Sequence, residues 1–127
     1  MTPTYVLDTG ALVAAERDKS RATRFFQLKQ AGLAQLVVPF PVLAEWWRGR
    51  TDLRDDMLAA TIVVASTPAA KAAGIALSRI GKIDAQLTVD AMVIATAALL
   101  DGIVVTGDRD DFEKLAKYFP GVTVLSV

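Results

Sequence analysis

Five short apolar runs recur along this chain, and helical patterns fill the segments between them. The runs are Thr4-Tyr5-Val6-Leu7, Leu36-Val37-Val38, Thr61-Ile62-Val63-Val64, Ile103-Val104-Val105-Thr106 and Val122-Thr123-Val124-Leu125. They are rich in β-branched residues, which suit a pleated surface. Strands that alternate with helices specify an α/β fold, with a central parallel sheet of about five strands covered on both faces.

Helix starts and stops come from Ser, Thr, Asp, Pro and Gly. Residues 11–16 form a short helix after a turn at Gly10. Ser20 is expected to cap a helix over 20–30, with Gly32 at its end. Pro41 fits the first turn of a helix through Trp47, and Gly49 stops it. Further helices are expected over 52–60, over 68–80 before Gly81, and over 111–118 from Asp111. Thr88 is a candidate N-cap for a helix over 89–100. That helix is apolar almost all round, so it should be central and buried. No linker, repeat or low-complexity segment interrupts the chain, so 1–127 reads as a single domain.

Composition narrows the chemistry. There is no cysteine, hence no disulfide framework, thiolate nucleophile or zinc–thiolate site. There is no histidine, hence no Ser-His-Asp triad, His–zinc site or histidine general base. Catalysis would have to use carboxylates, lysine, tyrosine or a bound metal, and hard oxygen ligands favour magnesium or manganese. Fourteen basic residues balance fourteen acidic ones, so net charge exerts no global pull on nucleic acid. The N-terminus lacks a basic stretch, and Asp8 interrupts its apolar run, so no signal peptide is expected. The apolar stretch 91–100 is too short to span a bilayer. A soluble, cytoplasmic protein without membrane attachment is expected.

Four acids stand where apolar runs stop: Asp8, Glu45, Asp90 and Asp108. A carboxylate beside a buried segment is costly unless something replaces its lost hydration. In open parallel sheets, sites form at the carboxyl ends of strands near the switch in strand order. Asp8 follows the first strand and Asp108 the fourth. Glu45 lies on the helix after the second strand, and Asp90 in the first turn of the helix before the fourth. Each also has a structural reading. Asp8 could serve a turn, Asp90 the helix macrodipole, and one of Asp108, Asp110 and Asp111 a cap. All four converging on one shared cation is the functional alternative.

The segments Val6-Leu7-Asp8-Thr9-Gly10-Ala11-Leu12, Val42-Leu43-Ala44-Glu45-Trp46-Trp47-Arg48-Gly49, Asp90-Ala91-Met92-Val93-Ile94-Ala95-Thr96-Ala97 and Val104-Val105-Thr106-Gly107-Asp108 resemble, in order, the motifs of PIN-domain nucleases. They look most like the VapC-type toxins of prokaryotic toxin–antitoxin pairs. The resemblance implies a PIN-like fold and a ribonuclease dependent on Mg2+ (or Mn2+). It carries a metal-site role to Asp8, Glu45, Asp90 and Asp108, and a supporting hydroxyl role to Thr106. It also implies a cognate VapB-type antitoxin and a homodimer. Asp110 and Asp111 blur the last motif, and Asp84 offers a competing acid that reads as a loop or cap residue.

An RNA substrate needs cations near the acids. Candidates are Arg17, Lys19, Arg21, Arg24 and Lys29, then Arg48, Arg50 and Arg54, and Arg109 beside Asp108. Leu12, Phe25, Phe26, Leu43, Trp46 and Trp47 are a large apolar load for so small a domain. A surplus would form a partner-seeking patch, with Trp46 or Trp47 at its centre. Two other classes compete. A phosphoaspartyl receiver would want paired acids after the first strand and a lysine after the last, which Thr9-Gly10 and Ser126 do not supply. A catalytically inactive PIN-like binding module would retain the fold without the chemistry.

Overall fold

The structure, a computed structural model, describes residues 2–49 and 51–127. Arg50, one of the candidate cations, lies outside the described residues. The strands are β1 (Thr4–Leu7), β2 (Gln35–Pro39), β3 (Ile62–Val64), β4 (Ile103–Thr106) and β5 (Thr123–Ser126). The helices are α1 (Thr9–Glu16), α2 (Ser20–Gln30), α3 (Phe40–Trp46), α4 (Thr51–Ala59), α5 (Thr67–Ile80), α6 (Ala85–Leu100) and α7 (Glu113–Ala116), the last preceded by a 3-10 turn over Arg109–Phe112. All strand pairs are parallel, in the order β3-β2-β1-β4-β5.

The centre of this sheet explains the sequence pattern. Val6 sits opposite Val37 on one side and Val104 on the other. Val6, Leu36, Val38, Val104 and Val105 are all 0% exposed. Strands covered on both faces read as continuous apolar runs, because neither face meets water. From β1 the chain builds outward through β2 and β3, then returns to the other side of β1 for β4 and β5. The strand order therefore switches between β1 and β4, and the carboxyl ends of these two strands bracket the crevice.

α6 lies in the core as expected, packed against β1, β4 and α5. Its start differs from the sequence reading. Asp84 is the N-cap, its carboxylate accepting from Leu87 N at 2.8 Å. Thr88 lies inside the helix, with its hydroxyl bonded to the Asp84 carbonyl at 3.1 Å. Asp90 consequently falls in the second turn, out of range of the helix-end charge, and the macrodipole reading fails.

Three other helix starts also move. α1 begins at Thr9, because Asp8 is its N-cap. Ser20 is the first residue of α2 rather than its cap, and Lys19 holds the cap position without a side-chain bond. Asp108, not Asp111, caps the 3-10 turn. The apolar load is only partly surplus. Leu12 and Trp46 are core residues, at 0% and 2% exposure. Phe40, Leu43, Ala44, Trp47 and Leu58 line an open apolar groove of about 360 Å³. Among the described residues, no helix is long and apolar enough to cross a membrane.

Candidate active site

Two tight turns build the site. One joins β1 to α1 at Asp8, with Gly10 the second residue of the helix rather than in the turn expected there. The other follows β4 and carries Gly107 and Asp108. The main chains of Gly10 and Gly107 touch. A Cβ on Gly10 would stand 3.0 Å from Gly107 Cα, and one on Gly107 would stand 3.0 Å from Gly10 Cα. Such an approach needs glycine on both sides. It draws the two strand-end acids to one crevice at the switch point.

That crevice is a cleft of about 490 Å³. Asp8, Glu45, Asp90 and Asp108 all line it, so residues 100 positions apart in sequence meet at one place. Asp111 is a fifth carboxylate in the same wall. Asp110 lies outside the cleft, as does Asp84, which remains a cap. The 3-10 turn decides between the neighbours: with Asp108 Oδ1 accepting from Asp110 N at 3.0 Å, the next side chain faces the cleft.

Four of the carboxylates are held by hydrogen bonds, Asp108 by the turn just described. Asp8 Oδ1 accepts from Ala11 N at 2.8 Å and from Gly107 N at 3.4 Å. Glu45 accepts from the Thr9 hydroxyl. Asp90 Oδ1 accepts from Gln86 Nε2 at 3.0 Å, one turn earlier on the same helix face. Thr106 is 0% exposed and lies beneath the cleft floor rather than lining it. Its hydroxyl accepts from Asp108 N at 3.0 Å and also stabilises the Asp8 carboxylate. Thr9 and Gln86 escaped the sequence reading. The i to i+4 spacing of Gln86 and Asp90 was the available signal for one of them, and it required the correct helix start.

Burial and mutual repulsion shape the electrostatics. Burial is the main cause that lifts Asp90 to about 7, with the charges of Asp111, Asp8 and Glu45 adding to it against the Gln86 bond. Burial also raises Asp8, outweighing its bonds to Thr106, Ala11 and Gly107. Asp111 is raised by partial desolvation and by Asp108 and Asp110. Carboxylates that share a site ionise reluctantly unless a cation joins them.

The donor set suits a hard divalent cation in kind, being all oxygen and anionic when ionised. Its oxygens are not drawn together: among the described residues, no group of three carboxylates is placed to hold a metal ion. Asp8, Glu45, Asp90 and Asp108 are instead each turned to a hydrogen bond within the protein, which binding would have to exchange. Of the candidate cations, Arg48 lines the cleft. Arg109 faces a neighbouring cavity. Arg54 turns inward and pairs with Glu16.

The chain matches the PIN domain family over residues 5–118. It belongs to the PIN domain family. No curated protein matches it by sequence. Among solved structures, this PIN domain is similar to VapBC2 from Rickettsia felis, a complex bound to a DNA fragment from their promoter. There the TM-score is 0.72 at 16% identity, with 98% of each chain covered. It is also similar to VapBC-1 from nontypeable Haemophilus influenzae, with a TM-score of 0.66 at 13% identity and 97% of each chain covered. A toxin–antitoxin complex from Klebsiella pneumoniae gives a TM-score of 0.60 at 22% identity, covering 94% of this chain and 95% of that one. At such identities these likenesses concern the fold. The five-stranded parallel sheet flanked by helices is thus the PIN-like architecture expected from the motifs.

Proposed function

We propose that this PIN domain is a metal-dependent endoribonuclease and the toxin of a VapC-type toxin–antitoxin pair. The observation that carries the reading is the convergence of five carboxylates, from distant parts of the chain, on one cleft at the switch point of the sheet. Support for the toxin assignment comes from the fold shared with VapBC and toxin–antitoxin complexes.

Asp8, Asp90, Asp108 and Glu45 would hold Mg2+ or Mn2+, with Asp111 beside them. Bound there, the cation would lower the pKa of a water and offset charge developing on a phosphodiester. The chain's own groups supply position. Ala11 N and Gly107 N fix Asp8, Gln86 fixes Asp90, and the Thr9 hydroxyl fixes Glu45. Thr106 ties Asp8 to the turn that carries Asp108. Arg48, at the cleft wall, would contact a substrate phosphate. A VapB-type antitoxin would cover the cleft, with the groove around Trp47 as an apolar contact. A homodimer and a cytoplasmic setting belong to the same proposal.

One observation favours a second reading, an inactive PIN-like binding module: the carboxylates are not drawn together for a metal. Incubating the pure protein with total cellular RNA separates the two, with manganese or with chelator, followed by mapping of the cut ends. The toxin reading expects discrete cuts that need manganese and disappear in Asp8→Asn. Uncut RNA, with no difference between the two proteins, supports the binding module.

A further inference from the structure

We infer that Arg54 is a positioning residue: clamped between Glu16 and the end of α3, it holds the turn that aims Glu45 into the acidic cleft. The inference rests on the proposed role of that cleft. It replaces the sequence reading of Arg54 as an RNA-facing cation.

α3 has seven residues and ends at Trp46, directly after Glu45. A helix this short does not hold itself together in water, and its last carbonyls lack partners within the helix. No glycine closes it, since Trp47 occupies the C-cap with φ −72°. Two arginines do the work instead. Arg48 Nε donates to the Glu45 carbonyl at 3.1 Å from an exposed position. Arg54 Nη1 donates to the Trp46 carbonyl from α4.

The second arginine is itself fixed on every side. Its Nε lies 3.0 Å from Glu16 Oε1, off the line of a hydrogen bond, and its Nη2 donates to Glu16 Oε2 at 3.3 Å. Its guanidinium carbon stands 5.2 Å over the Trp46 ring. The same Glu16 accepts the Trp46 indole N–H. Gly49 makes room for the group, because a Cβ there would meet Arg54 Nη1 at 2.6 Å. Both side chains are largely shielded, at 15% and 23% exposure, which strengthens the pairing relative to a surface ion pair.

α1 spans this arrangement. Its first residue, Thr9, bonds Glu45, and its last, Glu16, bonds Trp46 and Arg54. Adjacent residues of α3 are thus pinned to opposite ends of one helix. Loss of Arg54 frees the Trp46 carbonyl and leaves the Glu16 charge without its partner. The final turn of α3 then loosens where Glu45 must face the cleft.

The test uses the full chain as wild type, Arg54→Met, Arg54→Lys and Glu45→Gln. Without metal, two signals report the clamp: hydrogen exchange of the Trp47 amide, which donates to the Leu43 carbonyl at 2.9 Å, and the carboxyl carbon shift of Glu45. Arg54→Met should speed exchange at Trp47 roughly tenfold, move the Glu45 signal and leave α6 amides protected, with Arg54→Lys in between. In Mn2+ titrations, Arg54→Met should weaken binding about fivefold, but hardly at all in the Glu45→Gln background, the signature of action through Glu45. Equal weakening in both backgrounds, or an unmoved Glu45 signal, overturns the inference. Arg54→Lys supplies the same comparisons if Arg54→Met does not fold. A wild type that binds no Mn2+ refutes the metal role of the cleft, and the two metal-free signals still decide the clamp.

Discussion

Asp90 sets burial against charge. The residue as a whole is 3% exposed, and burial pushes its carboxyl up to about 7, against 3.8 for the unfolded chain. Folding therefore takes up a proton between these values. The group's contribution to stability is full below about pH 4 and is lost as the pH rises through 7. Asp90→Asn removes the penalty. It should raise metal-free stability at pH 8 by roughly 1–2 kcal/mol, less than the full shift implies because the cleft is open to solvent, and change little at pH 4. Urea unfolding at the two pH values checks this. A loss of stability at both would mean that the Gln86 bond matters more than charge. At this scale, Asp8, Glu45, Asp90 and Asp108 were legible because each stands where an apolar run stops. Asp111 was not separable from Asp110, since only the geometry of a 3-10 turn says which neighbour faces the cleft. Arg54 was misread for a similar reason: a partner 38 residues away leaves no local mark.

The elements divide by how their signals are written. Strands announced themselves through β-branched runs buried on both faces, and all five lie within a residue or two of the expected segments. Helix starts were harder, because a cap is one polar residue among several. Over 84–88 both Asp84 and Thr88 qualify, and α6 is too apolar all round for periodicity to choose between them. The choice has a measurable consequence. Asp84→Ala should destabilise the protein by about 1 kcal/mol through the loss of the bond to Leu87 N. Thr88→Ala should change stability by less than about 0.5 kcal/mol, since its hydroxyl only bonds back to a helix carbonyl. Denaturant midpoints for the two variants distinguish the caps, and a larger effect at Thr88 would restore the later start. The early start also brings Gln86 into the helix, one turn before the Asp90 it bonds.

At the scale of the whole molecule, charge crowded into one cleft couples ligand binding to folding. Manganese at 100 times its dissociation constant should add about 2.7 kcal/mol and raise the melting temperature by roughly 10 °C. At one fixed manganese concentration, the rise should be larger at pH 8 than at pH 5, where Asp90 already carries a proton. Thermal scans with manganese and with chelator check both parts, and coincident midpoints at pH 8 would exclude a site of useful affinity. The contact between Gly10 and Gly107 would bear on which ion the proposed site accepts. Two main chains in contact act as a mechanical stop, so the span between the turns that carry Asp8 and Asp108 does not depend on side-chain choice. One added methyl group would pry these jaws apart by a few tenths of an ångström. That is about the difference in metal–oxygen distance between magnesium, near 2.1 Å, and calcium, near 2.4 Å. Gly107→Ala should therefore shift competition between the two ions toward calcium, a change in calibre rather than in charge. An unaltered preference in competitive titrations would show that the carboxylates, and not the backbone stop, set the size of the ion they take.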